Sequence, residues 1–314
     1  MSGEAVPKKI ILDCDPGHDD AIAILLAARC PAVRLVAITT VAGNQTLEKT
    51  TLNARRVLTV AGITDVPVAA GCDRPLVRPQ IVAEDIHGES GLDGPKFPEP
   101  TVPLDPRHAV DLIIELLLDS AGDITLVPVG PLTNIAMAMR REPDIIRKIK
   151  HISLMGGAVG LGNHTPAAEF NILADPEAAR IVFESGVPIT MCGLDLTHQA
   201  LATEPVLERI RALGTPVAEM AVELLRFFAA TYKERQGFDA PPVHDPCAVA
   251  WVAEPDIVET VPAHVDVETR GEFCCGRTVV DLYGVLGKPA NALVGVKLDF
   301  DRFWDLVIDA LARY

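Results

Sequence analysis

Ile10-Ile11-Leu12-Asp13-Cys14-Asp15-Pro16-Gly17-His18-Asp19-Asp20-Ala21, with the apolar run on to Ala28, sets the architecture expected of this chain. Ile10–Asp13 is a continuous apolar run ending in polar residues, the pattern of a strand buried on both faces in a parallel sheet. Asp19–Ala28 follows at once as a helix apolar around most of its circumference, so it too is covered on most sides. The same alternation continues outward. Leu35–Val41 reads as a strand, and about Thr46 to Ala61 as a helix stopped by Gly62. Val66–Ala69 is a short strand, Leu112–Leu118 lies in a helix, and Ile124–Val129 and Ile149–Met155 are strands. Pro176–Ser185 reads as a helix and Val187–Cys192 as a strand. This repetition implies an α/β fold: an open, mostly parallel, Rossmann-like sheet flanked by helices, with right-handed crossovers.

Near the C-terminus, Val265–Glu268 and Arg277–Leu282 flank Arg270-Gly271 and read as a small antiparallel pair. The last helix places Phe300, Phe303, Trp304, Val307, Ile308 and Leu311 on one face, with Asp299 as its N-cap. Two stretches break the rhythm: Pro- and Gly-rich 71–106, and 203–243, which holds one or two helices and an irregular tail over 236–242. Long structureless loops are uncommon in compact domains and are often functional. With no repeat and no linker, 1–314 reads as one domain, with 71–106 and 232–243 as candidate active-site loops.

The chain has 314 residues and a net charge of −15, with 49% hydrophobic residues. That composition excludes disorder as the main state. The acidity and the absence of basic runs argue against nucleic acid as a partner. No apolar run approaches the ~20 residues of a spanning helix, and the run after Lys8-Lys9 stops at Asp13, too short for a signal peptide. No membrane association is expected. Seven scattered cysteines without a Cys-x-x-Cys pair fit reduced thiols and a cytoplasmic location.

In open α/β sheets, ligands bind beyond the carboxyl ends of the strands. There the sequence places Asp13 to Asp20, Gly43-Asn44, Val129-Gly130, Gly156-Gly157 and Gly193-Leu194-Asp195. Asp13, Asp15, Asp19 and Asp20 crowd one strand-to-helix turn. Helix capping accounts for one or two of them. Four neighbouring carboxylates repel and call for a counter-charge, and an oxygen-only set fits Ca²⁺ or Mg²⁺ rather than zinc. Val243-His244-Asp245-Pro246 and Glu169-Phe170-Asn171 form further clusters. Asp245 on its own reads equally well as the cap of a helix beginning at Pro246. Nucleophile-elbow, Walker and zincin motifs are absent from the sequence.

Taken together, these residues resemble the nucleoside hydrolases of the inosine-uridine-preferring type, from Lys8 to the last helix. The resemblance rests on Ile11–Ala21, Thr39-Thr40-Val41-Ala42-Gly43-Asn44, Ile86-His87-Gly88-Glu89-Ser90-Gly91, Met155-Gly156-Gly157, Ala168-Glu169-Phe170-Asn171 and Val243-His244-Asp245-Pro246, in that order. It implies hydrolysis of the N-glycosidic bond of ribonucleosides, uridine or inosine favoured, to free base and ribose. It also implies a bound Ca²⁺ held by Asp15, Asp20, Asp245 and the carbonyl of Val129, where the family commonly has Thr. Asp19, Asn44, Asn163, Glu169 and Asn171 match positions that bind the ribose. By the same resemblance Asp15 is the general base for the attacking water and His244 the candidate acid for the leaving base. His87 resembles a base-side contact, and Tyr232, Gln236 and Phe238 could close over the base. The resemblance further implies a homodimer or homotetramer. Two other classes compete: a nucleoside-binding protein without turnover, and a haloacid-dehalogenase-like phosphatase suggested by Asp13-x-Asp15. The second leaves Asp19-Asp20, Asn171 and His244-Asp245 unexplained.

Overall fold

In β1 (Lys8–Cys14) the side chains alternate between two cores: Ile10, Leu12 and Cys14 pack into one, Ile11 into the other. This is what a strand central to a sheet covered on both faces must do. The computed structural model describes residues 6–314. Eight further strands join β1: β2 (Val33–Thr40), β3 (Val68–Ala70), β4 (Ile124–Pro128), β5 (Ile149–Met155), β6 (Ile189–Cys192), β7 (Val258–Val267), β8 (Thr278–Asp281) and β9 (Ala292–Leu298). They form one sheet in the order β3-β2-β1-β4-β5-β6-β9-β7-β8.

The strands from β3 to β9 in that order are parallel; β7 runs antiparallel to both β9 and β8. The chain travels outward from β1 through β2 to β3, then returns to add β4 on the other side of β1. That reversal leaves a crevice at the carboxyl ends of β1 and β4, the usual ligand position in such sheets. Asp13-Cys14-Asp15 and Val129-Gly130 sit there.

The helices bounded in the sequence reading fall within one to three residues of their expected ends, whereas Thr133–Arg141 is not foreseen there and Pro216–Gln236 only as one or two helices within 203–243. His18–Arg29, Leu47–Val60, Pro216–Gln236, Pro246–Ala253 and Phe300–Leu311 share one core, and Ala109–Asp119, Thr133–Arg141 and Pro176–Phe183 share the other. The final helix buries Phe303, Trp304, Val307 and Leu311, and the Asp299 side chain caps it by accepting from the Arg302 N–H. All seven cysteines are unpaired thiols. No described helix is long and apolar enough to cross a membrane.

Three details differ from the sequence reading. The small antiparallel pair near the C-terminus forms as expected, with Val265 opposite Val280. It is joined to the main sheet by β9, which the sequence reading lacks because Gly295 interrupts its alternation. The segment 232–243 is helical as far as Gln236, so Tyr232 and Gln236 belong to the long helix Pro216–Gln236. The segment 71–106 is irregular except for the short helix Glu84–His87.

Candidate active site

The turn after β1 is held by its own carboxylates. Asp20 accepts from the backbone N–H groups of Gly17 (2.9 Å) and Asp15 (3.1 Å), closing the start of helix His18–Arg29. Capping and convergence are therefore compatible: Asp20 does both. Asp19, Asp20 and Asp245 each bring a carboxylate oxygen within 4.8 Å of the other two. Asp245 has helical backbone angles and its side chain caps nothing, which leaves the carboxylate free to face Asp19 and Asp20.

Asp15 lies beside this trio and is fully buried. Its Oδ2 accepts from the Asn44 N–H at 2.6 Å, and its carbonyl accepts from Asn44 Nδ2 at 3.2 Å. Its Oδ1 has no protein partner. The slot around it exists because two neighbours lack a side chain. A Cβ on Gly43 would stand 2.1 Å from Asp15 Oδ2, and one on Gly130 2.3 Å from Oδ1. Asp13 plays a different part: it accepts from Asn134 Nδ2 (2.8 Å) and Thr39 Oγ1, tying β1 to its neighbours.

Burial pushes Asp19 up to about 7, and the charge of Asp20 adds to it. Burial holds Asp15, Asp20 and Asp245 above the usual carboxylate range, with mutual repulsion adding at Asp15 and Asp245. Among the described residues, none of these carboxylates is in an ion pair with a Lys or Arg. Buried carboxylates without a counter-charge, one with an orphaned oxygen, are a donor set that fits a hard divalent cation.

Above the carboxylates opens a cleft of about 250 Å³, walled by Asp19, Asn44, Val129, Glu169, Asn171 and Asp245. Asp15 and Asp20 stand behind that wall. Glu169 caps the helix Phe170–Ala174, accepting from Asn171 N–H (2.8 Å), Ile172 N–H (3.1 Å) and Gly157 N–H (2.9 Å). Burial raises its carboxyl to about 7 despite these donors. Asn171 Nδ2 donates to the carbonyls of Val129 (2.8 Å) and Met155 (3.2 Å), which leaves its oxygen unspent. Asn163 Oδ1 accepts from the Phe170 N–H at 3.0 Å.

The same cleft is also lined by His87, Tyr232, Gln236 and His244. His244 is fixed at three points. Its N–H donates to Asp19 (3.1 Å), its Nδ1 meets Thr197 Oγ1 (2.7 Å), and its Nε2 meets the Tyr232 hydroxyl (2.7 Å). Burial pushes the His244 imidazole well below its ordinary pKa and the Tyr232 hydroxyl well above. His87 contacts a further imidazole, His18, at 3.0 Å between Nδ1 atoms.

Every site residue singled out in the sequence is therefore at this cleft or directly behind it, except Phe238, which packs edge-on against Tyr232 and His198. Sequence reading missed Thr197, His18 and Phe228. Thr197 follows the Gly193-Leu194-Asp195 strand end that did attract notice, but its partner is 47 residues away. Phe228 lies one helical turn before Tyr232 on the same face, a spacing that reads as core.

Residues 10–305 match the sequence profile described as inosine-uridine preferring nucleoside hydrolase. The chain is 53% identical to the pyrimidine-specific ribonucleoside hydrolase RihB of Shigella sonnei (strain Ss046) over 307 residues, covering 98% of both chains. It has the same identity and coverage with RihB of Escherichia coli (strain K12). Among solved structures, a purine-preferring ribonucleoside hydrolase from Gardnerella vaginalis superposes with a TM-score of 0.91 at 33% identity, covering 98% of each chain. A plant nucleoside hydrolase, PpNRh1, superposes with a TM-score of 0.90 at 32% identity, covering 98% of this chain and all of that one. Sequence, fold and a carboxylate-floored cleft agree, and the chain belongs to the family of inosine-uridine preferring nucleoside hydrolases and is an enzyme that hydrolyses ribonucleosides.

Proposed function

We propose that the enzyme acts on pyrimidine ribonucleosides, uridine and cytidine, with Ca²⁺ held by Asp15, Asp20, Asp245 and the Val129 carbonyl. The observation that carries the metal reading is the buried Asp15 Oδ1, orphaned beside three converging carboxylates. The pyrimidine preference is supported by the full-length similarity to relatives named for it. When bound, the cation supplies positive charge that engages vicinal hydroxyls and makes a nearby water more acidic.

The chain's own groups do the rest. Asp19, Asn44, Asn163, Glu169 and Asn171 grip the ribose, which fixes the reacting carbon relative to the floor. Their carboxylates and amide oxygens favour the oxocarbenium-like sugar over the neutral substrate. Asp15, a proposed ligand as well, takes the proton of the attacking water, since no protein group occupies its Oδ1. The leaving base needs a proton at its ring nitrogen. That proton leaves the His244–Tyr232 pair, joined at 2.7 Å between Nε2 and the hydroxyl, and solvent restores it after the base departs. A homodimer or homotetramer in the cytoplasm completes the proposal. Exposed Phe273, Tyr283 and Val285 around edge strand β8 fit an assembly surface, which light scattering would check.

The test is ribose release from uridine, cytidine, inosine, adenosine and guanosine with calcium present, beside Asp15→Ala. Release ranked uridine and cytidine first, and lost in the variant, bears the proposal out. A purine-first ranking overturns the substrate assignment, and undiminished activity of Asp15→Ala overturns the base.

A further inference from the structure

His87 enters the cleft from the helix Glu84–His87, but its ring is set from behind by His18. His18 Nε2 stands 2.8 Å from the carbonyl oxygen of Asp93. A carbonyl only accepts, so this nitrogen carries a proton. An uncharged His18 is then bare at Nδ1. Two bare nitrogens repel, so the proton in the 3.0 Å contact between the rings sits on His87 Nδ1. An uncharged His87 protonated at Nδ1 is bare at Nε2. That nitrogen bonds no protein group and is not sealed from the cleft, so it is the ring's open end.

The surroundings keep both rings uncharged. His18 stacks on Phe227 (centroids 5.1 Å) and Phe228 (5.3 Å), and His87 stacks on Phe228 (5.3 Å). The Asp93 carboxylate, the acidic group facing His18, is engaged by the Glu89 and Ser90 N–H groups. A charge on His244 would also disfavour one on His87. A cation on the nearby carboxylates would act in the same sense. One contact pulls the other way. The backbone N–H of His18 points at His87 Nδ1 from 3.3 Å, and alone it would make that nitrogen an acceptor and put the proton on Nε2.

We propose that His18 is a positioning residue that fixes the tautomer of His87, so that His87 Nε2 meets the substrate's base as a hydrogen-bond acceptor. This rests on the nucleoside reading above. The preferred base must then offer an N–H at that point, as uracil does with its imide and cytosine with its amine. A base alkylated there leaves a polar atom bare in a closed cleft, and such unpaired groups give strong discrimination.

The experiment compares wild type, His18→Leu and His18→Asn with saturating calcium. Asn keeps an acceptor oxygen near the position of the His18 Nδ1, whereas Leu leaves only the backbone N–H. Uridine should exceed 3-methyluridine in kcat/KM by roughly tenfold or more in wild type, the cost of one unmatched buried hydrogen bond. In His18→Leu the ratio should fall to within about twofold, mostly through KM, and His18→Asn should restore it. ¹⁵N spectra of histidine-labelled protein should show His87 Nε2 unprotonated in wild type and protonated in His18→Leu. The inhibition constant of free ribose should stay the same in all three, locating the change at the base.

A protonated His87 Nε2 in wild type overturns the proposal. So does an unchanged uridine preference in His18→Leu, or a ribose constant that moves with it. Should His18→Leu fail to fold, the wild-type spectrum and His18→Asn decide. Should wild type release ribose from no nucleoside, the nucleoside reading falls, while the spectra still decide the tautomer.

Discussion

Asp15, Asp19 and Asp20 come to the floor of the cleft from a single turn, whereas His87, Tyr232 and His244 come to its rim from three separate segments. The partners differ in kind as well. The carboxylates of the floor are mostly held by backbone N–H groups, those of Gly17, Asp15, Asn44 and His244. The rings of the rim are held by other side chains: Tyr232 and Thr197 on His244, and His18 on His87. Backbone geometry at a strand end is dictated locally and resists substitution. Side-chain pairs across the fold depend on each partner being present. On the proposed assignment, the floor serves the ribose shared by all ribonucleosides, and the rim can select the base without disturbing it.

Asp15→Asn should have the largest effect. It keeps the shape of the slot between Gly43 and Gly130 and removes the base, so turnover should fall by about 10³-fold or more, the upper range for general-base loss. The loss should be equal for uridine, cytidine and inosine in steady-state assays. Unequal losses would mean that floor and rim are not separable.

His244→Ala should cost about 10²-fold on uridine but little on a riboside with a nitrophenolate leaving group, which departs without a proton. Equal losses on both substrates would move His244 from proton supply to substrate contact. Tyr232→Phe should be milder, about tenfold on uridine, because it removes one hydrogen bond from His244 Nε2 and keeps the ring packing on Phe228. A loss as large as that of His244→Ala would make the tyrosine hydroxyl the immediate donor.

The same contrast explains what could be read in the sequence. Asp13 to Asp20 and Asn44 follow strands whose apolar runs are plain, so their place at one end of the sheet follows from the β-α rhythm alone, whereas Glu169 and Asn171 read alone as a loop entering a helix and stand out only through the family resemblance. Asp245 was ambiguous because a residue before Pro246 is also a good cap; only tertiary structure brings it to Asp19 and Asp20. The β9 strand escaped because Gly295 breaks its pattern. His18 and Thr197 escaped for a deeper reason. Each acts through a histidine far away in sequence, at a separation of 69 residues for His87 and 47 for His244. Nothing local marks a residue whose partner arrives that way.

Floor and rim should also be separable by pH, through opposite slopes in stability. Burial raises Asp13 from 3.8 to about 7, so between those values the folded state binds a proton that the unfolded state releases. Its contribution is present at low pH and lost as pH rises through about 7. Burial lowers His18 from 6.5 to about 4, so between those values it is the unfolded state that binds the extra proton. Its contribution therefore grows as pH rises from about 4 to 6.5. In wild type the two offset one another over that window, each being worth up to about 1.4 kcal/mol per pH unit. Thermal unfolding between pH 4.5 and 6.5 should then show Tm of Asp13→Asn rising more steeply with pH than wild type, and Tm of His18→Leu falling relative to it. The divergence should persist after chelation, because neither side chain belongs to the proposed ligand set. Parallel curves for the two variants would mean that burial does not set these two groups apart.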